Sequence, residues 1–216
     1  MHTSQRSLSH LTVPIFLAVL MAFAISHPVT ANHGYLPIGS STCLDPPNAP
    51  RNCVSTGYDN NHLVHFVSLG VGFTNATLNT MNEDYSPTDL NMIQTSVPSH
   101  ADVKVYDTDY GQNGVAGWVD CPADAPQGIN GWGHRWCKGQ TLKYNLSPVY
   151  SAYWNDAASR AHTACHEMGH TVGLFHFQNT GSCMHGDWYY YYPSQEGPSN
   201  LHPWDVNELN WYYPPY

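Results

Sequence analysis

The hydrophobic and polar positions along the chain predict several short strands ahead of one long helix. Residues 63–69, Leu-Val-His-Phe-Val-Ser-Leu, are rich in β-branched and aromatic side chains, which favour a strand. Residues 101–106 alternate well enough for a second strand. Residues 114–119 and 140–146 predict two more strands, so the chain has enough predicted strands to form a small sheet.

The helical pattern is concentrated in the second half of the chain. Asn155 and Asp156 are good N-caps before an alanine-rich segment, and they predict the start of the long helix. A short helix is predicted within residues 75–90, before Pro87. Residues 200–210 predict a closing helix with a proline in its first turn and with Trp204 and Leu209 facing inward.

The first 31 residues predict a secretory signal peptide. Arg6 gives a mildly basic start, residues 11–25 form an apolar run, and residues 29–31 supply the side chains expected before a cleavage site. A membrane anchor is the alternative, but an apolar run of about fifteen residues is shorter than the roughly twenty needed to span a bilayer. We therefore predict cleavage after Ala31 and a secreted, extracellular protein.

Residues 32–216 then form one domain, because a chain of this length suits a single core. Within it, residues 32–60 are rich in Pro, Asn, Gly and Ser and predict an irregular N-terminal arm. We expect a monomer with no membrane association after signal cleavage, since no second apolar run follows.

The charge balance excludes two classes of partner. The formal net charge is −9, and only 11% of the residues are charged. Nucleic acids and anionic membranes both select partners rich in Lys and Arg. The sequence therefore predicts that neither is a partner.

The chain has 6 cysteines. An even number in an exported chain predicts three disulfides. Many pairings are open, and pairing of nearest neighbours would join Cys43 with Cys53, Cys121 with Cys137, and Cys165 with Cys183. The last bond would tie the long helix to the segment that follows it.

Residues 166–176 carry the candidate chemistry, His-Glu-x-x-His-x-x-Gly-x-x-His. On a helix, residues four apart share a face, so His166 and His170 can both present a ring nitrogen to one metal ion. Gly173 can take the left-handed conformation that ends a helix, and the chain reversal would bring His176 back as a third ligand. Glu167 lies about 100° around the helix, where a base can act beside the metal without binding it.

Chance is the alternative explanation, since the chain has 14 histidines. The additional requirement for Gly173 and His176 at fixed positions makes a chance match far rarer. Three neutral imidazoles leave one tetrahedral position open, which is typical of a catalytic zinc rather than a structural one. We therefore predict one catalytic Zn²⁺ held by His166, His170 and His176.

This motif resembles the signature of the metzincin zinc peptidases, and its context resembles the matrixin branch, the family of the matrix metalloproteinases. Residues 181–184, Gly-Ser-Cys-Met, are similar to the methionine turn of that family, with Met184 eight residues after His176. Astacin-like enzymes share the zinc motif but carry Glu where this chain has Phe177. Residues 101–106 are also similar to a matrixin strand, and the resemblance covers roughly residues 100 to 185.

The resemblance implies an α+β domain of the zincin, metzincin-like type, in which a small twisted mixed sheet packs on the zinc helix. It implies a secreted zinc-dependent endopeptidase that hydrolyses peptide bonds in protein or peptide substrates. Glu167 would assist a zinc-bound water as its proton acceptor, and Met184 would shape the floor beneath the metal. An enzyme acting on a non-peptide amide or ester is an open alternative.

Three further features of the sequence suggest a second ligand, a different function or a modification. The turn over residues 107–114 contains Asp107 and Asp109 and could hold Ca²⁺, with a solvated turn as the alternative. The tyrosines at 189–192 suggest a different class of function, a secreted binding or adhesion protein with an aromatic patch for carbohydrate or a surface. Asn75 and Asn145 each begin a glycosylation sequon.

Overall fold

The structure of the protein is a computed structural model that describes residues 60–113, 115–129, 135–150, 156–174, 176, 181–185 and 199–213. The described residues belong to one compact unit. The signal peptide predicted over residues 1–31 and almost all of the arm predicted over residues 32–60 lie outside them, so both stay predictions.

Seven strands lie within the described ranges: β1 (Asn61–Ser68), β2 (Asn91–Gln94), β3 (Val103–Thr108), β4 (Gly117–Asp120), β5 (Gln127–Ile129), β6 (Arg135–Cys137) and β7 (Gln140–Asn145). Five of them form a sheet in the order β2-β1-β3-β7-β4. The first four run parallel, and β4 pairs antiparallel with β7 at the edge. Strands β5 and β6 form a separate antiparallel ladder. The predicted mixed sheet is confirmed, whereas β2, β5 and β6 are not evident from the sequence pattern.

The α-helices in the described part of the chain are α1 (Val71–Asn79), α2 (Ala157–Thr171) and α3 (Pro203–Tyr212), and a short 3-10 helix spans Pro148–Tyr150. A π-helical turn, Thr80–Tyr85, continues α1. Helix α1 and this turn together connect β1 to β2, since parallel neighbouring strands require a crossover. They confirm the helix predicted before Pro87. Among these helices, none has the length and apolarity that crossing a bilayer requires.

The core lies between one face of the sheet and helices α1 and α2. Its sheet side consists of buried residues at alternate strand positions, Val64, Val103, Val105, Leu142 and Tyr144. Phe73 of α1 stacks on Tyr144 with ring centroids 4.0 Å apart, and Met168 of α2 is fully buried. Each such side chain contributes about 1.5–3 kcal/mol by leaving water, so the zinc-motif helix is fixed to the sheet by burial.

Helix α2 begins and ends where the sequence predicts. The Asp156 carboxylate accepts hydrogen bonds from the backbone N–H groups of Ala158 and Ser159, which caps the first turn. Gly173 follows the last turn with φ 99°, a left-handed conformation that favours glycine. The N–H of Leu174 donates to the Gly169 carbonyl at 2.9 Å, and the N–H of Gly173 donates to the His170 carbonyl at 3.2 Å. These two bonds form a Schellman motif, which reverses the chain after the helix.

Helix α3 corrects one prediction. Leu209 faces the core as predicted, but Trp204 is 44% exposed and faces outward, so its inward assignment was wrong. The inward face consists instead of Asp205, Leu209 and Tyr212, all fully buried. Asp205 can take a buried position because its carboxylate accepts hydrogen bonds from the Ser182 hydroxyl and the His202 N–H.

Candidate metal centre

The three predicted ligands come together at the carboxyl end of α2. The Nε2 atoms of His166 and His170 lie 3.1 Å apart, which follows from their positions one turn apart on one helix face. After the reversal at Gly173, His176 places its Nε2 atom 3.0 Å from that of His166. All three ligand nitrogens lie within 4.8 Å of one another. The structure therefore brings the three histidines together, and their role as metal ligands stays a prediction.

Backbone carbonyls fix the tautomers of the two helical histidines. The Nδ1 atom of His166 lies 2.7 Å from the Cys183 carbonyl oxygen, and the Nδ1 atom of His170 lies 2.8 Å from the Leu174 carbonyl oxygen. A carbonyl only accepts hydrogen bonds, so each Nδ1 must carry the proton. In the neutral ring, Nε2 then presents a lone pair, which is the form that binds a metal.

The positions of these Nε2 atoms suit shared coordination of a zinc ion better than direct contact between the nitrogens. Two facing lone pairs at 3.1 Å repel unless a cation lies between them. With Zn–N bonds of about 2.0–2.1 Å, two ligands of a tetrahedral site lie about 3.3 Å apart, close to the two separations of His166 Nε2, 3.1 Å from His170 and 3.0 Å from His176. Burial lowers the pKa of His166, and it lowers the pKa of His170 to about 3, with His176 adding to the effect in both cases. Both rings are therefore neutral near pH 7 and available as ligands.

Glu167 lies beside the histidines and faces the edge strand. Its side chain is 5% exposed, and among the described residues its Oε2 atom has no hydrogen-bond partner. Burial raises the pKa of its carboxyl group to about 8. A Cβ atom at Gly117 of β4 would lie 2.7 Å from Oε1, so the carboxylate fits only because that strand position has no side chain. The arrangement places one carboxyl group next to the metal ligands without making it a fourth ligand.

The methionine that the resemblance places beneath the metal contacts the helix that carries two of the histidines. Met184 is fully buried, and its thioether packs against Gly169 of α2. Its N–H donates to the Ser182 hydroxyl at 3.0 Å, and that hydroxyl donates to Asp205 at 2.6 Å. The turn that carries Met184 is thus attached to helix α3 through a buried hydrogen-bond relay.

Two disulfides are present among the described residues. Cys165 is bonded to Cys183 and Cys121 is bonded to Cys137, which confirms two of the three predicted pairs. The first joins α2 to the methionine turn, next to His166 and Met184. The predicted bond between Cys43 and Cys53 lies outside the described residues.

The remaining candidate groups do not join the histidine cluster. Asp107 accepts a hydrogen bond from the Gly70 N–H, and Asp109 accepts one from the Gly111 N–H. Within the described ranges, the three histidines are the only group of His, Cys, Asp or Glu side chains close enough together to hold a metal ion. The calcium assignment stays a prediction, and the tyrosines at 189–192 lie outside the described residues.

Four residues around the site are not evident from sequence reasoning. Gly117 and Asp205 depend on contacts between segments far apart in the chain, and no local signal marks them. Gly169 carries a weak signal, since a glycine inside a helix often marks close packing. Tyr85 shares that packing, and its hydroxyl donates to the Cys165 carbonyl at 2.9 Å.

No protein-family model and no curated protein sequence matches the chain. Many solved structures resemble it, and two of them illustrate the degree of similarity. The first is high choriolytic enzyme 1, a hatching enzyme zinc-protease from Oryzias latipes (Medaka fish), with 10% identity and a TM-score of 0.44, over 76% of this chain and 96% of that one. The second is myroilysin, with 12% identity and a TM-score of 0.36, over 74% of this chain and 71% of that one. The function is therefore inferred from the geometry of the histidines and Glu167.

Proposed function

We propose that the protein is a secreted zinc-dependent endopeptidase. The observation that carries this proposal is the convergence of three imidazole Nε2 atoms beside a buried glutamate. The histidines supply a neutral donor set with an open fourth position, and Glu167 supplies a proton acceptor. A binding protein needs no such carboxyl group next to its metal.

Each residue of the site has a distinct task. His166, His170 and His176 would hold one zinc ion. Backbone carbonyls orient the rings of His166 and His170 through their Nδ1 atoms. Bound zinc would supply Lewis-acid polarisation of a carbonyl oxygen and would lower the pKa of water. Next to the positive charge of bound zinc, the pKa of Glu167 would fall from the value of about 8 that burial gives it. The ionised carboxylate would then accept the proton of the attacking water and return it to the departing amine. Met184 would support the ligand cluster from below without binding the metal.

The edge strand offers a place for the substrate backbone. Among the strands in the described ranges, β4 pairs with β7 on one side and has no neighbour on the other. An extended polypeptide can add to such an edge through main-chain hydrogen bonds. Since Gly117 of β4 touches Glu167, a peptide along this edge would pass directly by the proton acceptor. This geometry favours protein or peptide substrates over small amides and esters.

Secretion is part of the proposal. The predicted signal peptide over residues 1–31 would direct export, and disulfides such as that between Cys121 and Cys137 persist in oxidising compartments. We expect the mature protein to act outside the cell as a monomer.

The test is cleavage of unfolded casein and of a mixed peptide library by the purified mature chain. We expect cleavage that a chelator removes and that added Zn²⁺ restores. The variant His176→Ala should lose both the metal and the activity, whereas His100→Ala, a matched change at an exposed histidine, should keep both. Cleavage that survives complete metal removal would refute the proposal. One zinc per chain without cleavage of any substrate would favour the binding-protein alternative, and glycan binding would then be measured.

A further inference from the structure

Asn145, the last residue of β7, is fully buried and makes an unusual number of side-chain hydrogen bonds. Its Oδ1 atom accepts from the backbone N–H groups of Tyr110 at 3.0 Å and Ser147 at 3.1 Å. Its Nδ2 group shares two hydrogens among three acceptors: the Gly111 carbonyl at 3.0 Å, Asn113 Oδ1 at 2.9 Å and the Val115 carbonyl at 3.1 Å. Four of these five partners belong to the loop that joins β3 to β4.

The chemistry of this site requires an amide of this length. The loop presents one N–H group and three oxygen acceptors to the same buried point, so the side chain must both accept and donate. Aspartate would accept only and would face the oxygens with negative charge. An apolar side chain would leave buried backbone groups unpaired, which is costly. Asn145 is therefore the centre that holds the described part of the loop together.

The backbone next to Asn145 closes the loop at both ends. The N–H of Asn145 donates to the Ala116 carbonyl at 2.8 Å, and the N–H of Leu146 donates to the Thr108 carbonyl at 2.8 Å. The loop thus leaves β3 and enters β4 at points fixed on β7. Its internal turn, at Gly111 with φ 74°, is held by the same side chain.

The fixed exit of the loop lies directly next to the candidate metal centre. Strand β4 begins at Gly117, one residue after Ala116 and two after Val115. Gly117 is also the residue against which the Glu167 carboxylate packs. Any shift of the loop exit would therefore move the strand position that touches Glu167, together with the edge along which a peptide would lie.

We propose that Asn145 is a positioning residue for the reaction: its side-chain hydrogen bonds fix the loop between β3 and β4 and so hold β4 against Glu167. The inference rests on the proposed peptidase function. According to this inference, the buried side-chain amide of Asn145 keeps the loop ordered. The burial of the same side chain makes a glycan at the Asn145 sequon incompatible with this fold.

The test compares four variants with the wild-type chain. Asn145→Asp keeps the size of the side chain but removes the donors, whereas Asn113→Ala removes one acceptor from the cluster. Asn91→Asp is the matched chemical control, because Asn91 is an exposed asparagine on β2. Leu90→Ala is the stability control, because it truncates a buried side chain outside the loop.

Three quantities are measured on each variant below its melting temperature: zinc content, kcat/KM per folded molecule, and hydrogen exchange of residues 108–118. For Asn145→Asp we expect unchanged zinc content, faster exchange and a loss of kcat/KM of about 10- to 100-fold, since a displacement of about 1 Å near a reactive group has effects of this size. Asn113→Ala should show a smaller loss in the same direction. Both controls should keep wild-type kcat/KM, even where Leu90→Ala melts earlier.

The outcomes separate the two proposals. Wild-type kcat/KM per folded molecule in Asn145→Asp, or unchanged exchange over residues 108–118, would overturn the role of Asn145. If Asn145→Asp does not fold, Asn113→Ala decides by the same measurements, and wild-type values in that variant would overturn the role. A wild-type chain that cleaves nothing would refute the proposed function instead. The hydrogen-exchange rates of residues 108–118 would then show by themselves whether Asn145 fixes the loop.

Discussion

The contact between Gly117 and Glu167 leads to a quantitative prediction for Gly117→Ala. A Cβ atom at this position would lie 2.7 Å from Oε1, 2.8 Å from Cγ and 3.0 Å from Cδ of Glu167. Ordinary van der Waals contact begins at 3.4 Å, so the overlap is roughly 0.7 Å at the closest atom. Strand β4 is paired with β7 at Gly117, opposite Tyr144, and resists moving. The glutamate must therefore shift.

The expected loss follows from the size of that overlap. Overpacking a filled site costs about 1–3 kcal/mol. Each 1.36 kcal/mol of barrier corresponds to about a tenfold change in rate. If the cost falls on the position of the Glu167 carboxylate, kcat/KM should fall by about 5- to 150-fold. Zinc content should not change, because the three atoms nearest to the new methyl group all belong to Glu167, which is not a proposed ligand.

The assay is hydrolysis of a fluorogenic peptide, with zinc measured on the same sample. Gly128→Ala is the matched control, since its Cβ would lie 2.7 Å from Trp136 Cζ2, an overlap of the same size in the ladder of β5 and β6. We expect that variant to lose stability and to keep kcat/KM per folded molecule. Wild-type kcat/KM in Gly117→Ala, or an equal loss of kcat/KM in both variants, would refute the reasoning.

Three further predictions concern the helices. Gly173→Ala forces a residue with a Cβ atom into φ 99°, so stability should fall by about 1–2 kcal/mol and zinc should bind more weakly; unchanged thermal unfolding and zinc affinity would contradict the Schellman assignment. Asp156→Ala removes the N-cap of α2 and should lower the free energy of unfolding, measured by chemical denaturation, by about 1 kcal/mol. An unchanged denaturation midpoint would show that the cap does not stabilise the protein. Burial raises the pKa of Asp84 from 3.8 to about 7, so the folded state binds the proton more tightly than the unfolded state. Its contribution to stability is present below about pH 4 and is lost as the pH rises through 7, and Asp84→Asn should remove this slope; parallel curves of melting temperature against pH would contradict it.

The local features of the site could be predicted from the sequence. Helix spacing puts His166 and His170 on one face, and Gly173 permits the reversal that returns His176. The cap at Asp156 depends on its own side chain and two following N–H groups. Such features involve residues close together in the chain, and sequence patterns report them directly.

Other features could not be predicted because they depend on contacts between distant segments. The fit of Glu167 against Gly117 joins α2 to β4, and the bonds of Asn145 join the end of β7 to loop residues 30 to 35 positions earlier in the chain. Strand β2 has only 4 residues, too few for a periodic signal. The outward position of Trp204 could not be predicted either, because Asp205 occupies the inward face of α3 through its buried hydrogen bond with Ser182.

The central claim is that Glu167 acts as proton acceptor beside a zinc ion held by three histidines. The most direct test is kcat/KM and zinc content measured together for Glu167→Gln, with Glu83→Gln as the matched change at an exposed glutamate. We predict about one zinc per chain in both variants, a loss of kcat/KM of roughly 10²- to 10⁴-fold in Glu167→Gln, and wild-type activity in Glu83→Gln. Wild-type activity in Glu167→Gln, with zinc bound, would contradict the account.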